Sequence, residues 1–436
     1  MVIHIILILT AIILTCKIAA DCYGIYLSSR TINKTVEYET VKDVNILLLI
    51  PVLRENNIIE STLTHFSALQ LEGIHLIVCI AGTSRESSTM YGMRTEDVVK
   101  NWIQSHDQKR NSSLRFVYTE ISETKGDRAT QLNYAVSCMT KELAPDLIGV
   151  YDADSLPDVS TLLEVVDAWM KSPNTVLQQP VHFVDAANRM AAKKKNPLLV
   201  ANALYQTDWT MIRELPRWYQ HFKAFQTRPE KKFYRNDYLI GHGEFIPYPI
   251  YREFGFPEGE VTDGIQLGYR LSMSGIAIRP LHSFCSDDVP QSIGQLIHQH
   301  KRWFGGCNRL LQSGKWCMEN GKGSSFFQIT DGFWSQLCWA YAAVVVMIGL
   351  FFSAFLLLQG ELFLPLYFLL CTLCYCYLIP ILAHRILPFK IHVRLIDWLC
   401  LPLAIALKGI GPNLYIIQRL LNLFTKKQMH YRKVER

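Results

Sequence analysis

Charge is scarce in this chain, and the places it avoids are informative. Residues 333–358 hold no charged side chain, and neither do residues 362–383. Neither run has a polar face, which excludes the amphipathic helices of a soluble core. As a helix, 333–358 would reach roughly 39 Å, against a hydrocarbon core of about 30 Å. No lysine or arginine precedes residue 17, which argues against the basic leader of a cleaved signal peptide. Residues 3–27 therefore read as an anchoring span whose last turns, with Lys17 and Asp21, reach the headgroups. Internal repeats, low-complexity segments and nucleic-acid motifs are lacking. The formal net charge of +6 then points to an anionic lipid surface and to no nucleic acid. The 12 cysteines are scattered. Cys371, Cys374 and Cys376 fall inside an apolar run and read as packing residues.

Basic residues set the orientation. Arg30 and Lys34 follow the first span. Arg385, Lys390 and Arg394 lie between 384 and 394. Lys426, Lys427, Arg432, Lys433 and Arg436 fill the tail. Positive charge favours the cytoplasmic side. The expectation is an integral protein of the plasma or inner membrane with its central region in the cytosol. The sequons at Asn33 and Asn111 would then be unused. LIDWLCLPLAIAL (395–407) and LYIIQRLLNLF (414–424) are separated by KGIGPN (408–413). They read as one broken span or two interfacial segments. With both flanks cytoplasmic, the region does not cross.

The central region alternates strand and helix. NILLLIPV (45–52) is a continuous apolar run, as in a strand buried on both faces. A helix capped by Asn56 or Asn57 follows, then a strand over 73–82. Next come a helix from Thr95 to about residue 105, the strand LRFVYT, a helix over 128–143, and the strand DLIGVYDAD (146–154). Such an order predicts a mostly parallel, Rossmann-like α/β sheet covered on both faces. Ligands bind beyond the carboxyl ends of its strands. PVLRE, AGTSRE, the loop before GDRATQLN, and DAD fall there.

Two motifs carry chemistry. Asp152 and Asp154, two apart at a strand end, point the same way unless the chain turns. Hard oxygen ligands suit Mg2+ or Mn2+ shared with substrate phosphates. A turn plus a cap for the next helix is the competing use of these residues. Gln299, Arg302 and Trp303 share one helical face. Arginine's fork suits a diphosphate, and tryptophan offers a stacking surface. An amphipathic helix lying in the membrane interface explains the same segment, and the two uses are compatible.

Pro51 and Glu55, Asp152-Ala-Asp154, Gln178-Gln179-Pro180, Gly241-His242-Gly243, Thr262-Asp263 and Gln299-x-x-Arg302-Trp303 occur in this order. In this the chain resembles membrane-embedded family-2 glycosyltransferases such as cellulose, hyaluronan and chitin-oligosaccharide synthases. The likeness covers about residues 45–305 and the membrane layout. It implies an anchor (1–30), a cytosolic GT-A domain (31–290), an interfacial helix (291–325) and a transmembrane or interfacial region with a basic tail (326–436). It further implies inverting transfer from a nucleotide sugar, usually a UDP-sugar, to a growing polysaccharide. A membrane lipid glycosylated once is the alternative acceptor, and a non-catalytic scaffold is the remaining reading.

The resemblance also implies roles. Pro51, Glu55, Thr83, Arg128, Asp152, Gln299 and Arg302 would bind the nucleotide sugar. Asp152 and Asp154 would hold the metal. Gly241, His242, Gly243 and Trp303 would meet the acceptor. Arg128 stands where the family usually has lysine. The second strand ends in AGTSRE where acids are usual, with Thr83 or Ser84 as the substitutes. The family's base follows a Thr-Glu pair, and an ungapped reading puts Gly264 at that position. Asp263 is nonetheless the expected base, with Glu260 in reserve.

Overall fold

The computed structural model describes residues 1–32, 43–69, 71–86, 93–106, 113–122, 127–141, 143–227, 235–259, 262–323 and 326–425. Lys34, both sequons, the loop before GDRATQLN, Glu260 and the basic tail lie outside these residues.

Among the described residues nine strands form: β1 (Val44–Pro51), β2 (Ile74–Thr83), β3 (Leu114–Ile121), β4 (Leu147–Val150), β5 (Val176–Gln178), β6 (Val181–His182), β7 (Glu244–Pro247), β8 (Ile278–Pro280) and β9 (Cys285–Ser286). Seven make one sheet in the order β3-β2-β1-β4-β7-β5-β8, and β6 pairs with β9. Only β7 runs antiparallel to its neighbours in that sheet. The central position of β1 explains its unbroken apolar run. Ile46, Leu48 and Ile50 join one core with Ile59, Leu63 and Phe66. Leu47 and Leu49 join the other with Leu132, Val136 and Met139. Successive side chains enter opposite faces, so both must be apolar.

The helices in chain order are α1 (Val2–Ile32), α2 (Ile59–Ser67), α3 (Thr95–His106), α4 (Arg128–Met139), α5 (Val159–Lys171), α6 (Val184–Ala192), α7 (Pro197–Trp209), α8 (Leu215–Thr227), α9 (Tyr248–Phe254) and α10 (Asp263–Met273). After them come α11 (Ile293–Cys307), α12 (Leu310–Glu319), α13 (Phe326–Leu358), α14 (Phe363–Leu373), α15 (Ile379–Arg385), α16 (Leu395–Leu399) and α17 (Leu401–Thr425). A π-turn at Thr210–Glu214 joins α7 to α8, and another at Cys374–Leu378 joins α14 to α15. Among the described residues, three helical stretches are long and apolar enough to cross a membrane: Val2–Ile32, Phe326–Leu358 and Phe363–Arg385.

Several boundaries differ from expectation. The helix after β1 starts at Ile59 with Ile58 before it and no side-chain cap, so Asn56 and Asn57 do not cap it. The next helix but one ends at Met139, and a capping box of Asp127 with Thr130 starts it. β4 stops at Val150, because the chain turns with Ser155 N donating to Asp152 O at 3.0 Å.

The largest difference is α17, which runs unbroken through KGIGPN. Pro412 has no N–H to give the Lys408 carbonyl one turn back. Trp339 Nε1 donates to that carbonyl instead, at 3.2 Å, and Asn413 Nδ2 donates to Gly409 O at 2.7 Å. The lost backbone bond is thus replaced from α13, and the helix continues. α17 lies along α11, whose backbone comes so near that a Cβ on Gly411 would stand 2.7 Å from Lys301 N.

Candidate active site

Beyond the carboxyl ends of β1 and β4 lies a cavity of about 1540 Å³. Pro51, Glu55, Arg128, Asp152, Asp154, Gly241, His242, Asp263, Gln299, Arg302 and Trp303 all line it. These residues come from positions more than 250 apart in the chain. Thr83 and Gly243 do not reach the wall. Thr83 is buried, and its hydroxyl accepts from Arg85 N and Nε at 3.4 Å each. Gly243, at φ +61°, packs on Gln179 instead.

Arg128 organises the centre. It is the first residue of α4, so its stem leaves the helix toward the strand ends. Its Nη1 donates to Asp263 Oδ2 at 2.6 Å, and its Nη2 to Asp152 Oδ1 at 3.2 Å. Nη2 also donates to the Gly241 carbonyl. The carboxylates keep the guanidinium charged against the opposing effect of burial. One planar fork thereby fixes the position of two carboxylates from different elements. A lysine, a single point charge, could not hold both with the same geometry.

Asp263 reaches this place because α10 lies directly on the chain before β7. A Cβ on Gly264 would stand 2.6 Å from Gly241 N and 2.7 Å from Gly241 Cα. One turn on, a Cβ on Gly268 would stand 2.4 Å from Leu239 N. These are backbone atoms, which cannot swing aside, so glycine is required at the close approach. The other side of α10 meets α11. Gln266 Nε2 donates to Gly306 O at 2.6 Å, and Ser292 caps α11 by accepting from Gln295 N. The helix carrying Arg302 and Trp303 is therefore locked to the helix that starts at Asp263.

Gln178 and Gln179 support the site from behind. The Gln178 amide donates to the carbonyls of His242 at 2.9 Å and Gly243 at 3.2 Å, and its Oε1 accepts from Ile240 N. Gln179 Oε1 accepts from Tyr151 Oη at 2.6 Å. Both glutamines are buried. They fix the backbone of Gly241-His242-Gly243 from behind and do not themselves line the cavity.

Charge in the pocket is unevenly held. Both carboxylate oxygens of Asp154 are shielded from solvent. Burial, with the charge of Asp152 nearby, pushes the Asp287 carboxyl up to about 7. Burial likewise pushes Glu244 up to about 8, helped by Asp263 and opposed by Arg128. Burial pulls the Arg302 guanidinium down, with Asp152 opposing. Among the described residues no cluster of three His, Cys, Asp or Glu forms a complete protein-built metal site. Asp152 and Asp154, in the turn beyond β4, instead fit a hard cation that completes its shell with substrate oxygens.

Sequence reasoning missed Asp287 and the cavity's inner end. The signal for Asp287 was present as an acidic pair, Asp287-Asp288. The inner end had no such signal. There Lys408 Nζ sits 3.3 Å from the centre of the Trp209 ring and within 5.5 Å of Trp339. These residues come from three distant helices.

Comparisons with known proteins bear on the family and the fold. The family described as glycosyl transferase family group 2 matches residues 147–383, more than half of the chain. No curated protein sequence matches. Among solved structures, the fold is similar to the mannosyltransferase PcManGT from Pyrobaculum calidifontis, in complex with GDP-Man and Mn2+. The identity is 15%, the TM-score 0.54, and the match covers 97% of this chain and 100% of that one. S. aureus TarS 1-349 in complex with UDP-GlcNAc matches at 12% identity and TM-score 0.35, over 71% of this chain and 81% of that one, a likeness too remote to argue from. With a mostly parallel GT-A-like sheet, candidate membrane helices toward both ends and the family match across its centre, the chain belongs to the family-2 glycosyltransferases.

Proposed function

We propose that the protein transfers a sugar from a nucleoside diphosphate sugar, with inversion, to a hydroxyl presented from the membrane side of the cavity. The observation that carries this reading is the fork of Arg128, which ties Asp152 to Asp263 inside a cavity also walled by Arg302 and Trp303. Asp263 takes the proton from the acceptor hydroxyl as its oxygen attacks the anomeric carbon. The bond from that carbon to the diphosphate breaks, and the electron pair leaves on the diphosphate. Arg302 and Arg128 face the leaving group. Asp152 and Asp154 would hold Mg2+ or Mn2+, which when bound neutralises diphosphate charge. Pro51 and Glu55 flank the nucleoside end, and uridine remains the expected base. Trp303 stacks on the acceptor.

Basic residues around the spans support a cytosolic face for the sheet domain. Both a growing polysaccharide and a membrane lipid would offer a hydroxyl at the required place. The test is mass spectrometry of products from purified membranes given a panel of UDP- and GDP-sugars. Transfer that survives Asp263→Asn unchanged would remove Asp263 as the base. Donor binding without turnover in the native protein would favour the scaffold.

A further inference from the structure

We infer that the acceptor is a membrane lipid that enters the cavity sideways, through a portal between α13 and α17. The inference rests on the transferase reading for its chemistry, but the portal stands on separate observations. The cavity, at about 1540 Å³, exceeds the roughly 300–1,000 Å³ usual for one small-molecule site. It does not end at Trp303. It continues along α11 to Trp339 on α13 and to Tyr415 and Arg419 on α17.

There it abuts a groove of about 340 Å³, with which it shares Asn308, Leu311 and Arg419. Phe333, Ile416 and Leu420 line the rest of that groove. Polarity is therefore graded from outside inward. Leu311, Phe333 and Leu420, respectively 57%, 37% and 53% exposed, form an apolar mouth. Asn308 and Arg419 stand at the throat. The chamber behind is aromatic and polar, with Trp339, Gln336 and Tyr238.

The mouth lies near one end of a candidate span. Phe333 is seven residues into α13, roughly 10 Å along the helix. Phe333 also opens the charge-free run 333–358, two residues after Asp331, so the mouth lies where the hydrocarbon layer would begin. A hydrated sugar polymer gains nothing from an apolar opening onto acyl chains, because desolvating its hydroxyls there is costly. A lipid matches the gradient. Its hydrocarbon stays in the bilayer while its hydroxylated head passes Arg419 toward Trp303 and Asp263.

The test uses the full-length protein in bilayer nanodiscs, with radiolabelled nucleotide sugars and phospholipid and glycerolipid extracts as acceptors. Label should enter a single solvent-extractable product. Leu420→Trp, which fills the groove from an exposed position, should lower that transfer at least ten-fold while the protein still binds nucleotide. A second readout needs no turnover. A lipid with a diazirine on the chain carbons next to its headgroup should label residues 308–312, and Leu420→Trp should reduce that labelling relative to labelling of α14. A water-soluble product ladder, or labelling confined to the spans, would overturn the inference. Throat labelling without sugar transfer from any donor would instead sink the transferase reading and leave the portal standing.

Discussion

Replacing Glu244 by glutamine should stabilise the protein, by an amount that grows as pH rises from about 4.5 to about 8. Glu244 starts β7, paired with Val150 on one side and Gln178 on the other, and is fully buried. Burial first, and the charge of Asp263 second, raise its carboxyl from an ordinary 4.5 to about 8. Between these values the unfolded chain has released the proton and the folded chain has kept it. Stability therefore falls as pH rises through that window and levels off above it. At ~1.4 kcal/mol for each pH unit, the window amounts to at most ~5 kcal/mol, and relaxation around the site should leave about half. Glutamine mimics the neutral acid in shape and never ionises. The variant should melt with the wild type at pH 5 and roughly 5 °C above it at pH 8.5, scaling from the usual dependence of melting temperature on stability. The assay is intrinsic-fluorescence melting in detergent across that range. A variant less stable than wild type by a constant amount at every pH would refute the reasoning. It would mean that ionised Glu244 is a needed partner of Arg128.

Three further outcomes follow from the same centre. Arg128→Lys keeps the charge and loses the two-pronged grip, so kcat/KM should fall about ten-fold, whereas Arg128→Ala should fall by about a hundred-fold or more. Steady-state kinetics on both variants checks this, and equal losses would deny the fork any role. Asp263→Asn should lower kcat by about 10²–10⁴ with nucleotide affinity kept, as read by calorimetric titration alongside turnover. Chelation should abolish transfer, and Mn2+ or Mg2+ should restore it in the wild type but not in Asp154→Ala. Restoration in that variant would place the cation elsewhere.

The sheet was legible because its central strands are buried on both faces. An apolar run such as residues 46–50 has few other uses. The long apolar helices were legible for a similar reason, since a run without charge as long as 333–358 suits a bilayer. Helix ends were harder. Nothing marks Ile58 as the residue before a helix, since it makes no cap of its own. KGIGPN carries every local signal of a break, yet Trp339, about seventy residues away, supplies the bond that Pro412 cannot. The site divides in the same way. Arg302 and Trp303 stand at helical spacing from Gln299, and all three line the cavity. Gln178 and Gln179 proved to be supports behind the wall, because only the folded chain shows which way they point. Lys408 and Trp209 meet solely through tertiary packing.

Gly264 gives the sharpest test of the register. The resemblance, read without gaps, implies a base at Gly264, so Gly264→Asp looks like a repair. The geometry says otherwise. A Cβ there would overlap Gly241 N and Cα and crowd Leu239 O at 3.2 Å. Neither segment can yield cheaply. Gly241, at φ +92°, offers its carbonyl to Arg128, and Leu239 is fully buried. To admit the side chain, α10 must lift from the 238–241 segment. That would carry Asp263 away from the guanidinium and pull Gln266 off Gly306. Gly264→Asp should therefore lose several kcal/mol of stability, as overpacking does at ~1–3 kcal/mol even without a backbone clash, and should lose transfer with it. The double change Asp263→Gly with Gly264→Asp moves the carboxylate one position along and should be inactive for the same reason. If that double variant folded and transferred sugar, the base would belong at position 264. Asp263 would then be only the residue that starts the helix.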